Sequence, residues 1–180
     1  MSRYIAFLRA LNVGGHTVKM EDLRTLFEAL GFAGVETFIA SGNVIFETRA
    51  KGDAKLEGKI EAHLHQTLGY EVKTFVRSDA EVAAIARYQP FKPALMKQAV
   101  ALNVAFLAEP LDEAAERKLQ QFRSGIDEFH AHGRELYWLC RKKQSESDFS
   151  NAVLERALKL RATFRGINTV MKLAEKYPAS

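Results

Sequence analysis

Two hydrophobic periods, near two and near 3.6 residues, follow one another along the chain in an order that repeats. Residues 3–9 carry apolar side chains at both parities, with Tyr4, Ala6 and Leu8 on one face and Ile5 and Phe7 on the other. That pattern predicts a strand covered on both faces. Residues 20–30 set Met20, Leu23, Leu26, Phe27 and Leu30 on one helical stripe, and Gly31 ends it, since glycine takes the left-handed C-terminal conformation without a steric penalty. Residues 35–39 and 44–47 read as strands joined by the tight turn Ala40-Ser41-Gly42-Asn43. Asp53 is the expected cap of a second helix bearing Leu56, Ile60, Leu64 and Leu68 and closed by Gly69. Residues 71–77 complete the unit as a fourth strand. The order β-α-β-β-α-β is the split βαβ of ferredoxin-like domains.

Ser78-Asp79-Ala80-Glu81 matches a capping box and starts a short helix to Arg87. Gln89-Pro90-Phe91-Lys92-Pro93 then interrupts regular structure. The element order begins again after it. Residues 99–107 are a strand, 112–122 a helix, 126–130 and 135–140 a hairpin around His132-Gly133. A helix to Leu158 and a strand at 162–165 follow, and Asn168 is the expected cap of an added helix through Tyr177. Ile5-Ala6-Phe7-Leu8 matches Val104-Ala105-Phe106-Leu107 at the same place in both orders. The expected fold is therefore α+β, with duplicated ferredoxin-like βαββαβ halves and an extra C-terminal helix. Residues 1–88 form the first subdomain with its connecting helix, 89–98 the linker and 99–180 the second.

The duplication supplies an internal control. The first half is longer between its first strand and first helix, where it carries Ala10-Leu11-Asn12-Val13-Gly14-Gly15-His16-Thr17-Val18-Lys19 against Ala108-Glu109-Pro110-Leu111 in the second. A scaffold does not need that extra length, and loops on rigid scaffolds often carry function. Strands one and two of a split βαβ run parallel, so this loop and the turn after strand two lie at one end of the sheet. Arg9, Asn12, Gly14, Gly15, His16 and Lys19 should gather near Ser41, Gly42 and Asn43. Glycines let backbone N–H groups approach a ligand, a helix N-terminus favours negative charge, and Arg9 can grip a carboxylate or phosphate through two bonds. Against this, Glu21 and Asp22 already complement the helix dipole. Gly14-Gly15 also suits a plain turn, and Asn12 a bond to its own backbone. The loop matches neither G-x-x-x-x-G-K-[ST] nor G-x-G-x-x-G, so no cofactor is implied.

Other chemistry-bearing residues read more plainly. His130-x-His132 lacks a third ligand at metal-binding spacing, and His63 and His65 diverge on a helix. No metal site is expected. Cys140 ends an apolar strand with no activating neighbour, and being alone it forms no internal disulfide. Ser41 and His16 would need an orienting group to act as nucleophile and base. Whether the protein is an enzyme stays open at this stage.

Charge changes the picture in one place. The net charge is +4. Residues 134–180 carry ten Lys or Arg and five Asp or Glu, while residues 1–133 carry sixteen and seventeen. The excess lies around Arg141-Lys142-Lys143, Arg156, Lys159, Arg161 and Arg165, as a solvated helix face or a phosphate-attracting patch. No run reaches the roughly 20 apolar residues of a membrane span. The lone thiol and the absence of a signal-like N-terminus fit a cytoplasmic protein.

The opening run Arg3-Tyr4-Ile5-Ala6-Phe7-Leu8-Arg9-Ala10-Leu11-Asn12-Val13-Gly14-Gly15, Met20 at the first helix, the Ser41-Gly42-Asn43-Val44 turn and the end Arg165-Gly166-Ile167-Asn168-Thr169-Val170-Met171-Lys172-Leu173 resemble the bacterial domain of unknown function 1697 family. The resemblance implies two ferredoxin-like subdomains and brings no activity, cofactor or substrate. Many members carry Asn-Trp where this chain has Gly166-Ile167. The favoured reading is a binding protein, with or without catalysis, for a small polar or anionic ligand at the Asn12–Lys19 loop and the Ser41–Asn43 turn. The alternative is a nucleic-acid-binding module using the basic C-terminal quarter. Its weakness is that Phe7 and Phe46 are the only aromatics well inside the central strands of the first sheet, and residues 41–48 do not fit the RNA-binding pattern. A third reading is an interaction protein that pairs its second sheet with a partner.

Overall fold

The computed structural model describes residues 1–39 and 42–180. Its first half runs β1 (Ser2–Leu8), α1 (Met20–Glu28), β2 (Ala33–Thr37), β3 (Asn43–Thr48), α2 (Asp53–Leu68) and β4 (Thr74–Ser78). Helices α3 (Asp79–Arg87) and α4 (Pro93–Met96) follow. The second half runs β5 (Ala101–Phe106), α5 (Glu113–Gln120), β6 (Asp127–His132), β7 (Glu135–Cys140), α6 (Asn151–Leu158) and β8 (Thr163–Gly166), and α7 (Ile167–Lys176) is the extra helix. The sheets have the orders β2-β3-β1-β4 and β6-β7-β5-β8, with every neighbouring pair antiparallel. Two antiparallel steps separate β1 from β2, so these strands run parallel. The fold is a duplicated ferredoxin-like α+β architecture.

Register makes the duplication specific to single residues. Ile5 pairs with Ile45 and Arg77, while Val104 pairs with Tyr137 and Arg165. The four-residue match read from sequence therefore occupies the central strand of each sheet.

The chain forms two compact units, Met1–Ala83 with Leu173–Ser180, and Ala84–Lys172. Residues 89–98 lie inside the second unit. Pro93 opens α4 there, because the first turn of a helix does not need the missing N–H. In the first unit Tyr4, Ala6 and Leu8 pack with Val44, Phe46, Leu23, Phe27, Leu56 and Ile60. The Phe32 and Phe46 rings stack at 4.4 Å. In the second, Ala105, Leu136 and Trp138 pack with Leu119, Phe149 and Leu154. The Trp138 indole N–H donates to the Asp127 carboxylate at 2.8 Å, as a buried indole requires. The opposite parity is buried as well: Ile5, Phe7, Ile45 and Phe75 in the first sheet, Val104, Phe106, Tyr137 and Leu139 in the second. The alternation read from Tyr4 to Leu8 anticipated this.

The N-termini of two helices differ from expectation. Gly52, not Asp53, caps α2, with φ 98, a conformation that favours glycine. Asp53 sits in the first turn, where its charge still suits the dipole. Helix α7 begins at Ile167, so Asn168 lies inside the first turn and is not the cap. The Ser78–Glu81 capping box is present. The Glu81 N–H donates to Ser78 Oγ and the Ser78 N–H to Glu81 Oε1, both at 3.1 Å.

Candidate functional site

The β1–α1 loop and the β2–β3 turn meet at one end of the first sheet. Phe7 pairs with Asn43, and the Leu8 N–H donates to the Gly42 carbonyl at 2.9 Å. Beyond Leu8 the Arg9 N–H donates to the Lys73 carbonyl at 2.8 Å, which extends the β1–β4 edge by one step. Ala10 then turns the chain off the sheet with φ 58. Leu11 dives back into the core, 5% exposed.

The loop is built as a small closed clasp. The His16 N–H donates to the Val13 carbonyl at 3.1 Å, and Gly14 and Gly15 have φ 61 and 85. Positive φ at both central residues marks a type I′ turn, which explains the glycine pair. The Val18 N–H donates to Asn12 Oδ1 at 2.8 Å and closes the base of the clasp. The Tyr70 hydroxyl donates to the Leu11 carbonyl at 2.7 Å. The His16 ring stacks on Tyr70 with centroids 3.9 Å apart. Burial raises the Tyr70 hydroxyl above its ordinary pKa, so it stays protonated and able to donate. Lys19 then precedes α1 in an extended conformation, and its carbonyl accepts from the Leu23 N–H.

These contacts divide the residues expected at the site. Asn12 shapes the loop, and His16 lies flat on Tyr70. Asn43 is fully buried, and its amide donates to the Phe38 carbonyl at 3.0 Å, bracing the β2–β3 turn. Gly14, Gly15 and Lys19 are exposed, and Arg9 is half-buried. Ser41 lies outside the described residues. Glu21 and Asp22 occupy the first turn of α1. The second half has no counterpart to the clasp, since only residues 107–112 link β5 to α5.

Backbone strain concentrates at this end. Ala10 (φ 58) and Ile39 (φ 55) are non-glycine residues in the left-handed region. For the β-branched Ile39 that conformation is a true outlier. Gly42 has φ 79, and a Cβ there would lie 3.1 Å from the Leu8 Cβ.

The basic C-terminal quarter is partly turned inward. Arg141 donates to Gln98 at 2.7 Å and to Glu128 at 3.3 Å. Burial pushes the Glu128 pKa up, but bonds from Arg123 and Arg141 outweigh it and hold the carboxyl below its ordinary value. Arg165 is buried, which lowers its guanidinium to about 10. The sequence reading placed Arg165 among the solvated or phosphate-attracting residues; on β8 its side chain is internal.

His130 and His132 both meet Tyr88. The Tyr88 hydroxyl lies 2.7 Å from His130 Nε2, and the His132 ring stacks on Tyr88 at 3.8 Å. Among the described residues no group of three His, Cys, Asp or Glu is placed to hold a metal, and no helix is long and apolar enough to cross a membrane. Burial raises the pKa of the Cys140 thiol, the opposite of activation.

Sequence reasoning missed Tyr70, which holds the loop, Tyr88, which meets both histidines, and the buried Arg77. The available signal was Arg77 and Arg165 themselves, each inside an apolar strand and followed by a small residue at a strand-to-helix junction.

Two four-stranded antiparallel sheets of the same order, each packed against its own helices, define a duplicated ferredoxin-like α+β protein. A family match narrows this class. A family model described as protein of unknown function (DUF1697) matches residues 1–137, and the chain belongs to that family. The conserved bacterial protein SP0830 from Streptococcus pneumoniae has a similar structure, with a TM-score of 0.77, 21% identity and 97% of each chain covered. That likeness is one of fold. No curated protein gives a significant match.

Proposed function

We propose that this protein binds a small polar or anionic ligand at the end of the first sheet, where the β1–α1 loop meets the β2–β3 turn. The observation that carries the reading is the clasp itself. Asn12 and Tyr70 hold an exposed glycine turn in one shape, and the second half of the same duplicated fold does without it. A loop fixed before binding loses little entropy on binding. The ligand-facing groups are the backbone at Gly14 and Gly15 with the Arg9 and Lys19 side chains. Asn12, His16 and Asn43 keep the frame in place. A guanidinium has five N–H donors, so Arg9 can serve a ligand while also bonded within the protein.

The alternative nucleic-acid reading has less behind it. Phe7 and Phe46 are fully buried and so unavailable for stacking on bases. The test of the ligand reading is thermal denaturation of wild type and Arg9→Ala with a panel of phosphates and small carboxylates. A ligand at 100 times its Kd stabilises the wild type by about 2.7 kcal/mol, and Arg9→Ala loses that gain. If no panel member stabilises the wild type, the loop is structural.

A further inference from the structure

A sheet edge presents unpaired backbone N–H and C=O groups, and folded proteins blunt or cover them. Three of the four edges here are treated in that way. At β4 the N–H groups of Thr74, Val76 and Ser78 donate to the carboxylates of Glu61, Glu57 and Glu81, at 3.1, 2.9 and 3.1 Å. At β2 the register slips between Ala33 and Glu36, and Gly34 sits there with φ 56. β8 is only four residues long, and the Ala162 N–H beside it donates to Glu155 Oε2 at 2.9 Å. β6, the counterpart of β2, is different: its six residues pair with β7 in unbroken register.

The Arg141 N–H donates to the Ile126 carbonyl at 2.7 Å. Alternation along the antiparallel ladder then turns the backbone groups of Glu128, His130 and His132 toward β7, and those of Asp127, Phe129 and Ala131 toward the free edge. Side chains fill the first part of that edge. Ser124 bonds both backbone groups of Asp127, and Gln120 Nε2 donates to the Phe129 carbonyl at 3.1 Å. Ala131 is half-buried, and neither its N–H nor its carbonyl has a partner outside β7 among the described residues. A groove of about 650 Å³ opens between this strand and α5, with Glu113, Glu116, Arg117 and Gln120 on one wall and His130 and Ala131 on the other. Gln120 lines the groove and also reaches the outward Phe129 carbonyl, so the groove lies along the unpaired edge. The corresponding groove between α1 and β2 holds only about 330 Å³.

We propose that β6 accepts an extended peptide of a partner protein as a fifth strand, seated in the groove beside α5 and carrying a lysine or arginine toward Glu116. Main-chain bonds to Ala131 supply the pairing, and side chains at alternate positions supply the selection. The charge preference follows from the helix wall. Arg117 is already ion-paired with Glu113 at 3.9 Å, whereas Glu116 has no ion pair among the described residues. The Glu116 carboxylate acts electrostatically on His130, which places its charge on the strand side of the groove. An uncompensated carboxylate therefore stands beside the free backbone groups of the edge. This edge belongs to the second unit, and the inference is independent of the β1–α1 loop.

The test is selection of a random heptapeptide phage library on the immobilised full chain, followed by titration of the ¹⁵N-labelled chain with the most enriched peptide in synthetic form. Enriched peptides should share a Lys or Arg, and the titration should give saturable shifts at the Ala131 amide and along residues 113–120. Two variants, each checked for a folded spectrum, separate the contributions. Ala131→Pro removes the outward N–H at a position where an edge strand tolerates proline. It should weaken binding at least about fivefold, the loss of one hydrogen bond. Glu116→Lys should weaken binding as well, and a peptide with Glu in place of its basic residue should recover affinity for that variant. The proposal is overturned if no peptide is enriched, if enriched peptides share no basic residue or shift residues elsewhere, or if the folded variants bind like the wild type. Sedimentation of the chain alone covers the other occupant: a concentration-dependent dimer that Ala131→Pro abolishes would make a second copy the fifth strand and would also overturn the proposal.

Discussion

Arg77 and Arg165 occupy the same position in the two halves, each on the last strand opposite the central-strand residue of the matched motif, Ile5 and Val104. Both are buried, and each donates from Nη1 to the carbonyl of the residue before it, at 3.0 and 2.9 Å. Arg165 also donates to Thr163 Oγ1 at 2.7 Å. A buried guanidinium is retained only where its donors are satisfied. Arg77→Ala and Arg165→Ala should each lose on the order of 3 kcal/mol. Arg24→Ala, which removes an exposed ion pair to Glu28, should change stability by less than about 0.5 kcal/mol. Chemical unfolding midpoints of the three variants check this ordering.

The glycines at the candidate site are not equivalent. At Gly42 a Cβ meets Leu8 at 3.1 Å and φ is 79, so Gly42→Ala adds a steric clash to a left-handed penalty. At Gly15 φ is 85, with nothing within 4 Å. Gly15→Ala should lose about 1 kcal/mol and Gly42→Ala clearly more, roughly 2 kcal/mol or above. Thermal melts of the two variants against wild type measure the difference.

Tyr70→Phe removes the hydroxyl that holds the Leu11 carbonyl, and Asn12→Ala removes the acceptor for the Val18 N–H. Each should cost about 1 kcal/mol and speed amide hydrogen exchange across residues 11–18, leaving β5 and β7 unchanged. Exchange that stays slow in both variants would mean the loop is held by something else.

His130 gives the second unit a pH dependence of defined sign. Burial, then the neighbouring His132, lowers its pKa, and Glu116 opposes them more weakly. Tyr88 and Phe91 also pack on its ring. The unfolded chain takes up this proton near pH 6.5, the folded chain only at lower pH. Stability from the neutral ring is therefore complete above about 6.5 and declines as pH falls below it. His130→Gln should flatten that part of a stability profile between pH 7 and 5.

The repeated element order, both strand faces of β1 and the clustering of the loop with the turn were legible in the sequence, because each follows from hydrophobic period and topology. The division of labour within the site was not. Asn12 and Asn43 look the same in sequence whether they face a ligand or brace a backbone; in the structure Asn12 accepts from the Val18 N–H and Asn43 donates to the Phe38 carbonyl. The cap of α2 was misread because aspartate is the better cap on average, whereas φ 98 at residue 52 selects glycine. Arg165 was read with the surface charges because its burial depends on strand pairing, which charge counting does not register.

The most direct test of the central claim is amide chemical-shift mapping of the ¹⁵N-labelled full chain with phosphate and citrate, the simplest polar anions. The account predicts saturable shifts at Gly14, Gly15 and Lys19, with the Arg9 side chain responding, and their loss in Arg9→Ala while the rest of the spectrum holds. Shifts absent from residues 9–19, in a chain whose spectrum is otherwise that of the folded protein, would contradict it.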